Sequence, residues 1–145
     1  MLKIPQAEYD ALRKHGEEAY PQECCGVLLG KLNDGTRVVK DHVRCQNGEK
    51  ETATHHYNIP PEELIGAQKK AREQGLDIIG FYHSHPDHAA RWSRHDLEEA
   101  HWFACSYVIT AVEQGTAGRT NSFVLCGNDE ESKRFDDEDV EVMGR

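Results

Sequence analysis

The chain lacks any long apolar segment and any excess of positive charge. Its 145 residues carry 17 lysines and arginines against 26 aspartates and glutamates, so the formal net charge is −9. No apolar run approaches the roughly 20 residues needed to cross a bilayer, and the first residues lack the apolar stretch of a secretory signal. These absences predict a cytoplasmic location, with neither a membrane nor a nucleic acid as the main partner, because phosphate backbones attract basic surfaces.

The cysteine pattern also argues against several classes of site. No CxxC pair occurs among the five cysteines, which argues against a thiolate zinc knuckle or a thioredoxin-type site. An odd number of cysteines in a cytoplasmic chain favours reduced thiols over a disulfide framework. Cys24 and Cys25 are adjacent, and we expect them to be buried or half-buried thiols that flank another functional group.

Two common zinc signatures are also missing. There is no HExxH, which excludes the zincin pattern, and no H-x-E with P-C-x-x-C, which excludes the zinc deaminases. Residues 83–88 spell H-x-H-x-D-H, which resembles the metal-binding motif of metallo-β-lactamase-type hydrolases. Those proteins are longer and have further ligands downstream, whereas only His95 and His101 follow here, so we keep that class as a minor alternative.

The chain is predicted to form one mixed α/β domain, without repeats or a second domain. Helices are predicted over residues 5–16, 62–74 and 93–104, and strands over 27–29, 36–43, 52–59, 76–83, 107–112 and 122–126. On a strand at 52–59, at most one of His55 and His56 can face a given side. From residue 128 onward acids dominate and apolar residues become sparse, so we expect residues 128–145 to form a mobile tail.

The histidines that end the predicted strand at 76–83 point to metal chemistry. His83 and His85 are two residues apart, and side chains with that spacing on a strand share a face. Asp96, one turn inside the next predicted helix, can add a carboxylate oxygen. Two imidazoles and a carboxylate suit Zn²⁺, and three protein ligands leave a fourth position for water, which is typical of a catalytic site. The ligand types also permit Fe²⁺ or Mn²⁺.

Ser93 and Asp96 have a simpler explanation as well. A serine followed three residues later by an acid is close to a capping box, with Ser93 at the N-cap and Asp96 at the third helical position. By spacing alone, these residues could serve only to begin a helix. The two same-face histidines just before them favour the metal site, but the capping alternative stays open.

The complete spacing resembles a known motif. His83-x-His85, seven residues, Ser93, two residues and Asp96 reproduce H-x-H-x₇-S-x₂-D. This pattern is similar to the JAMM motif of the MPN-domain metalloproteases. The resemblance implies that His83, His85 and Asp96 would bind Zn²⁺, and that Ser93 would donate a hydrogen bond to the oxyanion of the tetrahedral intermediate.

The same family places a glutamate upstream, before its first core strand. Here residues 21–30 read P-Q-E-C-C-G-V-L-L-G, so that glutamate would be Glu23, which would take a proton from the attacking water and return it to the leaving amine. The stretch resembles the small stand-alone prokaryotic members, and the resemblance covers residues 1–127. It implies a curved mixed β-sheet flanked by helices, with a cytidine-deaminase-like layering.

The resemblance also implies a substrate class. Family members cut amide or isopeptide bonds after the C-terminal Gly-Gly of ubiquitin or ubiquitin-like proteins, and the small members resemble peptidases of ubiquitin-like sulfur-carrier proteins. An extended Gly-Gly tail could add to a sheet edge near the metal. The main alternative is a non-catalytic MPN scaffold, against which the five intact motif residues argue. The identity of the carrier and the oligomeric state stay open.

Overall fold

The computed structural model describes residues 1–49 and 51–144. The elements in chain order are β1 (Leu2–Pro5), α1 (Gln6–Ala19), β2 (Cys25–Asn33), β3 (Thr36–Cys45), α2 (Pro61–Glu73), β4 (Asp77–Pro86), α3 (Arg94–Glu99), β5 (Ser106–Glu113), β6 (Thr116–Cys126), β7 (Arg134–Glu138) and β8 (Val140–Met143). All eight strands form one sheet in the order β7-β6-β5-β4-β2-β3-β1-β8. The prediction of a single mixed α/β domain with a curved sheet is confirmed. Within the described residues, no helix is both long and apolar enough to span a membrane.

Strands β2 and β4 occupy the middle of the sheet because their side chains are buried on both faces. Residues 25–30 of β2 and 79–86 of β4 are all buried, and a strand covered on both sides is a continuous rather than an alternating apolar run. Gly26 is required in β2, since a β-carbon there would collide with the ring of Tyr82. Cys25, the first residue of this strand, and Cys24 just before it are buried as predicted.

The two faces of β4 contribute to different cores. Phe81 packs into the core that contains Ala67 and Ala71 of α2, whereas Tyr82 packs into the core that contains Leu12 of α1. His83 and His85 follow Phe81 at intervals of two residues and therefore lie on the α2 face. The structure thus places both imidazoles on one face at the C-terminal end of β4, as their spacing predicted.

The C-terminal residues do not form the predicted mobile tail. Strand β7 pairs with β6 at one edge of the sheet, β8 pairs with β1 at the other, and only Asp139 separates them. The side chain of Glu138 is 1% exposed. Its carboxylate accepts hydrogen bonds from three side chains, those of Arg37, Ser106 and Ser122. The prediction was wrong because composition does not show that one acid is buried with three donors; Arg145 lies outside the described residues.

Two other predicted elements also need correction. Residues 52–59 form turns and irregular backbone, not a strand, and we call residues 46–49 and 51–60 the site loop. The helix predicted over 93–104 ends at Glu99. Lys133 explains this end, because its ammonium donates to the carbonyls of Glu98 and Ala100, which the helix itself leaves unpaired.

Candidate metal centre

Three potential ligands meet where β4 ends and α3 begins. The Nε2 atoms of His83 and His85 are 3.2 Å apart. Oδ1 of Asp96 lies 3.3 Å from Nε2 of His83, and Oδ2 lies 3.0 Å from Nε2 of His85. A tetrahedral Zn²⁺ with bonds of about 2.0–2.1 Å separates its ligands by about 3.3–3.4 Å. The three groups therefore already have nearly the spacing that one zinc ion requires.

The hydrogen bonds of the imidazoles also fit a metal. Nδ1 of His85 lies 2.9 Å from the carbonyl oxygen of Ala89, so this nitrogen carries a proton, and Nε2 becomes a ligand atom when a metal displaces the proton that it shares with Asp96. The ring of Tyr57 stacks on His83 with centroids 4.4 Å apart, which holds the plane of that imidazole. Nε2 of each histidine is thus available as a ligand atom.

Burial sets the charges of the cluster. Burial alone would raise the pKa of Asp96, but hydrogen bonds with His83 and His85 outweigh it and hold that pKa far below its ordinary value. Burial lowers the pKa of His83, so this imidazole is neutral at pH 7 and able to bind a metal. For His85, the hydrogen bond with Asp96 outweighs burial and raises the pKa. A metal ion bound by the three groups would compensate the buried carboxylate in place of a proton on His85.

Both hydrogen bonds of the capping box proposed for Ser93 and Asp96 are present. Oγ of Ser93 accepts from the backbone N–H of Asp96 at 3.0 Å, and Oδ2 of Asp96 accepts from the backbone N–H of Ser93 at 2.9 Å. The same Oδ2 faces His85. The capping box therefore aims the carboxylate at the histidines, so capping and metal binding are compatible. Because Oγ of Ser93 accepts in the cap, its hydroxyl proton can still be donated elsewhere.

Glu23 lies beside the cluster although it is 60 positions earlier in the chain than His83. Strands β2 and β4 pair Cys25 with His83, which brings the residues before β2 to the C-terminal end of β4. The Glu23 side chain is buried, and its Oε1 has no hydrogen-bond partner. Burial raises the pKa of this carboxyl to about 8. A carboxyl group with such a pKa can accept and release a proton near neutral pH.

An open cavity of about 690 Å³ lies over the cluster. Three of the predicted site residues line it, namely Glu23, His85 and Ser93. The site loop contributes His55 and His56 to one wall, and the ring of His56 stacks on His95 with centroids 3.8 Å apart. The prediction that only one of His55 and His56 can face the site is wrong, because they lie in a loop and not on a strand.

Asn47 holds this region together through hydrogen bonds, although no sequence pattern singled it out. Its Nδ2 donates to the carbonyl oxygens of Glu23 and His56. Its Oδ1 accepts from the backbone N–H groups of Glu49 and Asn58. One side chain thus ties the site loop together and to the segment that carries Glu23. A single polar residue without periodic neighbours does not indicate such a role.

Comparisons with known proteins agree with this geometry. Residues 5–126 match the family model described as prokaryotic homologues of the JAB domain. A desampylase from Haloferax volcanii is 33% identical over 116 residues, which is 77% of this chain and 81% of that protein. A Thermus thermophilus protein named "Probable TtuB-protein conjugate cleaving protease" is 29% identical over 113 residues, which is 78% of this chain and 72% of that protein.

A solved structure supports the fold in the same way. The crystal structure of a JAB1/MPN domain protein from Archaeoglobus fulgidus superposes with a TM-score of 0.60 at 17% identity, over 97% of each chain. The matching residues 5–126 include the three ligands of the cluster, Glu23 and Ser93. The fold, the spacing of the motif and the match over most of the chain therefore lead to one conclusion: this chain belongs to the JAB/MPN family, as one of its prokaryotic members.

Proposed function

We propose that the protein is a zinc metallopeptidase that hydrolyses the amide or isopeptide bond after the C-terminal Gly-Gly of a ubiquitin-like sulfur-carrier protein. The observation that carries the proposal is the convergence of the ligand atoms of His83, His85 and Asp96 beside the buried, unpartnered carboxylate of Glu23. The relatives support the substrate class, since one is called a desampylase and another is named for cleaving TtuB-protein conjugates.

His83, His85 and Asp96 would hold the Zn²⁺. When bound, the ion supplies Lewis acidity, which lowers the pKa of water and stabilises developing negative charge. The protein keeps its own three groups ready for this role, because Ala89 orients His85, Tyr57 stacks on His83, and the capping box orients Asp96.

Glu23 would act as the general base and then as the general acid. Its carboxylate lines the cavity and has a free oxygen, so it can take a proton from the attacking water. Burial raises its pKa to about 8, which makes it a stronger base than an exposed glutamate. The protonated carboxyl can then give the proton to the leaving amine, and general acid–base catalysis of this kind contributes roughly 10²–10⁴-fold in rate.

Ser93 would stabilise the oxyanion. Its hydroxyl oxygen accepts from the backbone of Asp96, which fixes the oxygen while leaving its proton to point into the cavity that Ser93 lines. A preorganised donor costs no reorganisation during the reaction, and its loss costs roughly 10²–10³-fold in kcat.

The substrate tail would reach the site between loops rather than along a sheet edge. The strand that carries His83 and His85 is bordered by β2 and β5, and the edge strands are β7 and β8. An extended Gly-Gly segment would instead lie in the cavity between the site loop and residues 88–95, where the absence of side chains on the two glycines lets the backbone approach the cluster.

The test uses zinc-loaded protein with ubiquitin-like carriers extended beyond Gly-Gly, and with the same carriers joined to a lysine side chain. Mass spectrometry should show cleavage directly after the second glycine. A Glu23→Gln variant with full zinc content serves as the control for contaminating proteases. Full zinc content without cleavage of any carrier would contradict the proposal and favour the MPN scaffold.

A further inference from the structure

Arg91 places a free positive charge at the mouth of the cavity. Its side chain is exposed and lines the cavity over the cluster. Within the described residues, no carboxylate lies within 4.0 Å of its guanidinium, whereas Arg37 and Arg44 pair with Glu138 and Glu18. Arg91 is therefore available to an anion from outside the chain.

Arg91 is the only lysine or arginine among the described residues that line the cavity. Glu23 is the only carboxylate among the described residues that line it, and four further histidines accompany Arg91: His55, His56, His88 and His95. The chain as a whole carries a net charge of −9. A guanidinium without a carboxylate partner, on an otherwise acidic protein, favours an anionic group of the substrate at this position.

The backbone around Arg91 is anchored to the metal cluster and to the sheet. The N–H of Arg91 donates to the carbonyl of Ala89, and that same carbonyl accepts from Nδ1 of His85. The carbonyl of the buried Ala90 accepts from the side chain of Asn121 in β6. The guanidinium therefore extends from a fixed turn that is joined to a metal ligand, and the position of its base does not depend on a mobile loop.

The substrate offers one anionic group close to the scissile bond. The two glycines before the scissile bond contribute only neutral backbone. The α-carboxylate of a single residue after that bond lies about 3.5 Å of extended chain beyond the scissile nitrogen, which keeps it inside the cavity. Planar guanidinium binds carboxylate through two parallel hydrogen bonds.

We propose that Arg91 binds the α-carboxylate of the leaving residue, so that the enzyme prefers a carrier that ends one residue after Gly-Gly over the same carrier with that carboxylate blocked. This inference rests on the proposed function and concerns the leaving group alone. Arg91 is a specificity residue, because the chemistry remains with the metal cluster, Glu23 and Ser93.

The experiment compares two substrates that differ in one group: a carrier ending in Gly-Gly-Ala with a free carboxylate, and the same carrier with a C-terminal amide. We expect wild-type kcat/KM to be about tenfold higher for the free acid, mainly through KM, since tenfold corresponds to about 1.4 kcal/mol. Arg91→Met should abolish the preference by slowing the acid and leaving the amide unchanged. Arg91→Lys should keep part of it, because a lysine retains the charge but not the paired geometry.

The control is Arg119→Met, an exposed arginine on β6 outside the cavity lining, which should leave the preference intact. Equal cleavage of acid and amide by the wild type, or a preference that survives Arg91→Met, would overturn this inference while leaving the proposed function in place. Cleavage of neither substrate by zinc-loaded protein would instead count against the proposed function itself.

Discussion

Two clusters of imidazole and carboxylate groups occur in the described part of the chain, and they have the same ligand atoms in different surroundings. The first, on the α2 face, contains His83, His85 and Asp96; the second, between α1 and β3, contains Glu8, Asp41 and His42. In both, three ligand atoms lie within 4.8 Å of one another. Spacing of ligand atoms alone would therefore assign a metal to each.

The two clusters differ in the groups that pair with their carboxylates. In the second, Lys70 lies 3.2 Å from the Asp41 carboxylate and Gln74 donates to the same oxygen. Its members are only half-buried. In the first, the side chain of Asp96 is 8% exposed, and among the described residues no lysine or arginine pairs with it. The second cluster already contains a permanent cation, whereas in the first the buried carboxylate faces only titratable imidazoles, and a bound metal would balance its charge. Burial without a lysine or arginine partner is what distinguishes the candidate metal centre.

Removing one carboxylate charge from each cluster should reveal the largest difference between the two. Asp96→Asn should lower zinc affinity by more than about 100-fold, since even residues outside the ligand shell contribute 10–100-fold. Asp41→Asn should leave zinc affinity unchanged, because Lys70 competes for that site. Zinc titration of metal-free protein measures both. Equal loss in the two variants would show that the clusters do not differ as described.

A glutamate at each cluster provides the next contrast: Glu23, next to the first, and Glu8, a member of the second. Glu23→Gln should reduce kcat by roughly 10²–10⁴-fold while the zinc content stays at one ion, because Glu23 is proposed to move protons and not to bind the metal. Glu8→Gln, the matched change in the second cluster, should leave kcat unchanged. Steady-state kinetics with metal analysis of each variant checks this. Loss of zinc in Glu23→Gln would instead make Glu23 a ligand.

Ser93 allows its capping and its proposed catalytic contribution to be separated within the first cluster. Ser93→Ala should lower kcat by roughly 10²–10³-fold and the free energy of unfolding by about 1 kcal/mol. Ser93→Asp keeps a cap acceptor but has no hydroxyl proton, so stability should recover while kcat stays low. If activity recovers with stability in Ser93→Asp, the residue serves only to begin α3.

The last contrast concerns the pH dependence of the free energy of unfolding of the metal-free protein. The pKa of Glu23 is raised by burial from 4.5 to about 8, so between these values the native state holds a proton that the unfolded state has released. The free energy of unfolding should therefore fall as pH rises from 4.5 to 8, by about 1.4 kcal/mol per pKa unit at most.

Denaturant unfolding of metal-free protein at several pH values measures this slope. Glu23→Gln should remove it, so that the variant gains stability over the wild type as pH rises. Glu8→Gln should lose about 1 kcal/mol through its hydrogen bond with His42. A wild-type slope unchanged by Glu23→Gln would mean that the Glu23 carboxyl is not the group responsible.

The parts of the site that sequence predicts are those that depend on local geometry. Alternation along one strand places His83 and His85 on a common face, and one helical turn places Asp96 near Ser93; both are confirmed. The proximity of Glu23 depends instead on the antiparallel register between β2 and β4, which no local pattern reveals. Only the resemblance to the JAMM pattern supplied that residue from sequence.

The errors have a shared physical cause in contacts with residues outside the segment concerned. Thr, His and Tyr in residues 52–59 favour a strand by propensity, but Asn47 supplies hydrogen bonds that hold this segment as a loop. The acidic composition after residue 128 favours disorder, but Phe135 packs with Tyr107 and Trp92 at ring-centroid distances of 5.3 and 5.6 Å. In each case side chains outside the segment outweigh its local composition.

Anomalous diffraction at the zinc edge, from crystals of zinc-loaded protein, tests directly whether a metal binds at His83, His85 and Asp96. We expect one strong peak between Nε2 of the two histidines and the Asp96 carboxylate, and no peak at Asp41. A peak at Asp41, or zinc-loaded crystals without a peak at the histidines, would contradict it.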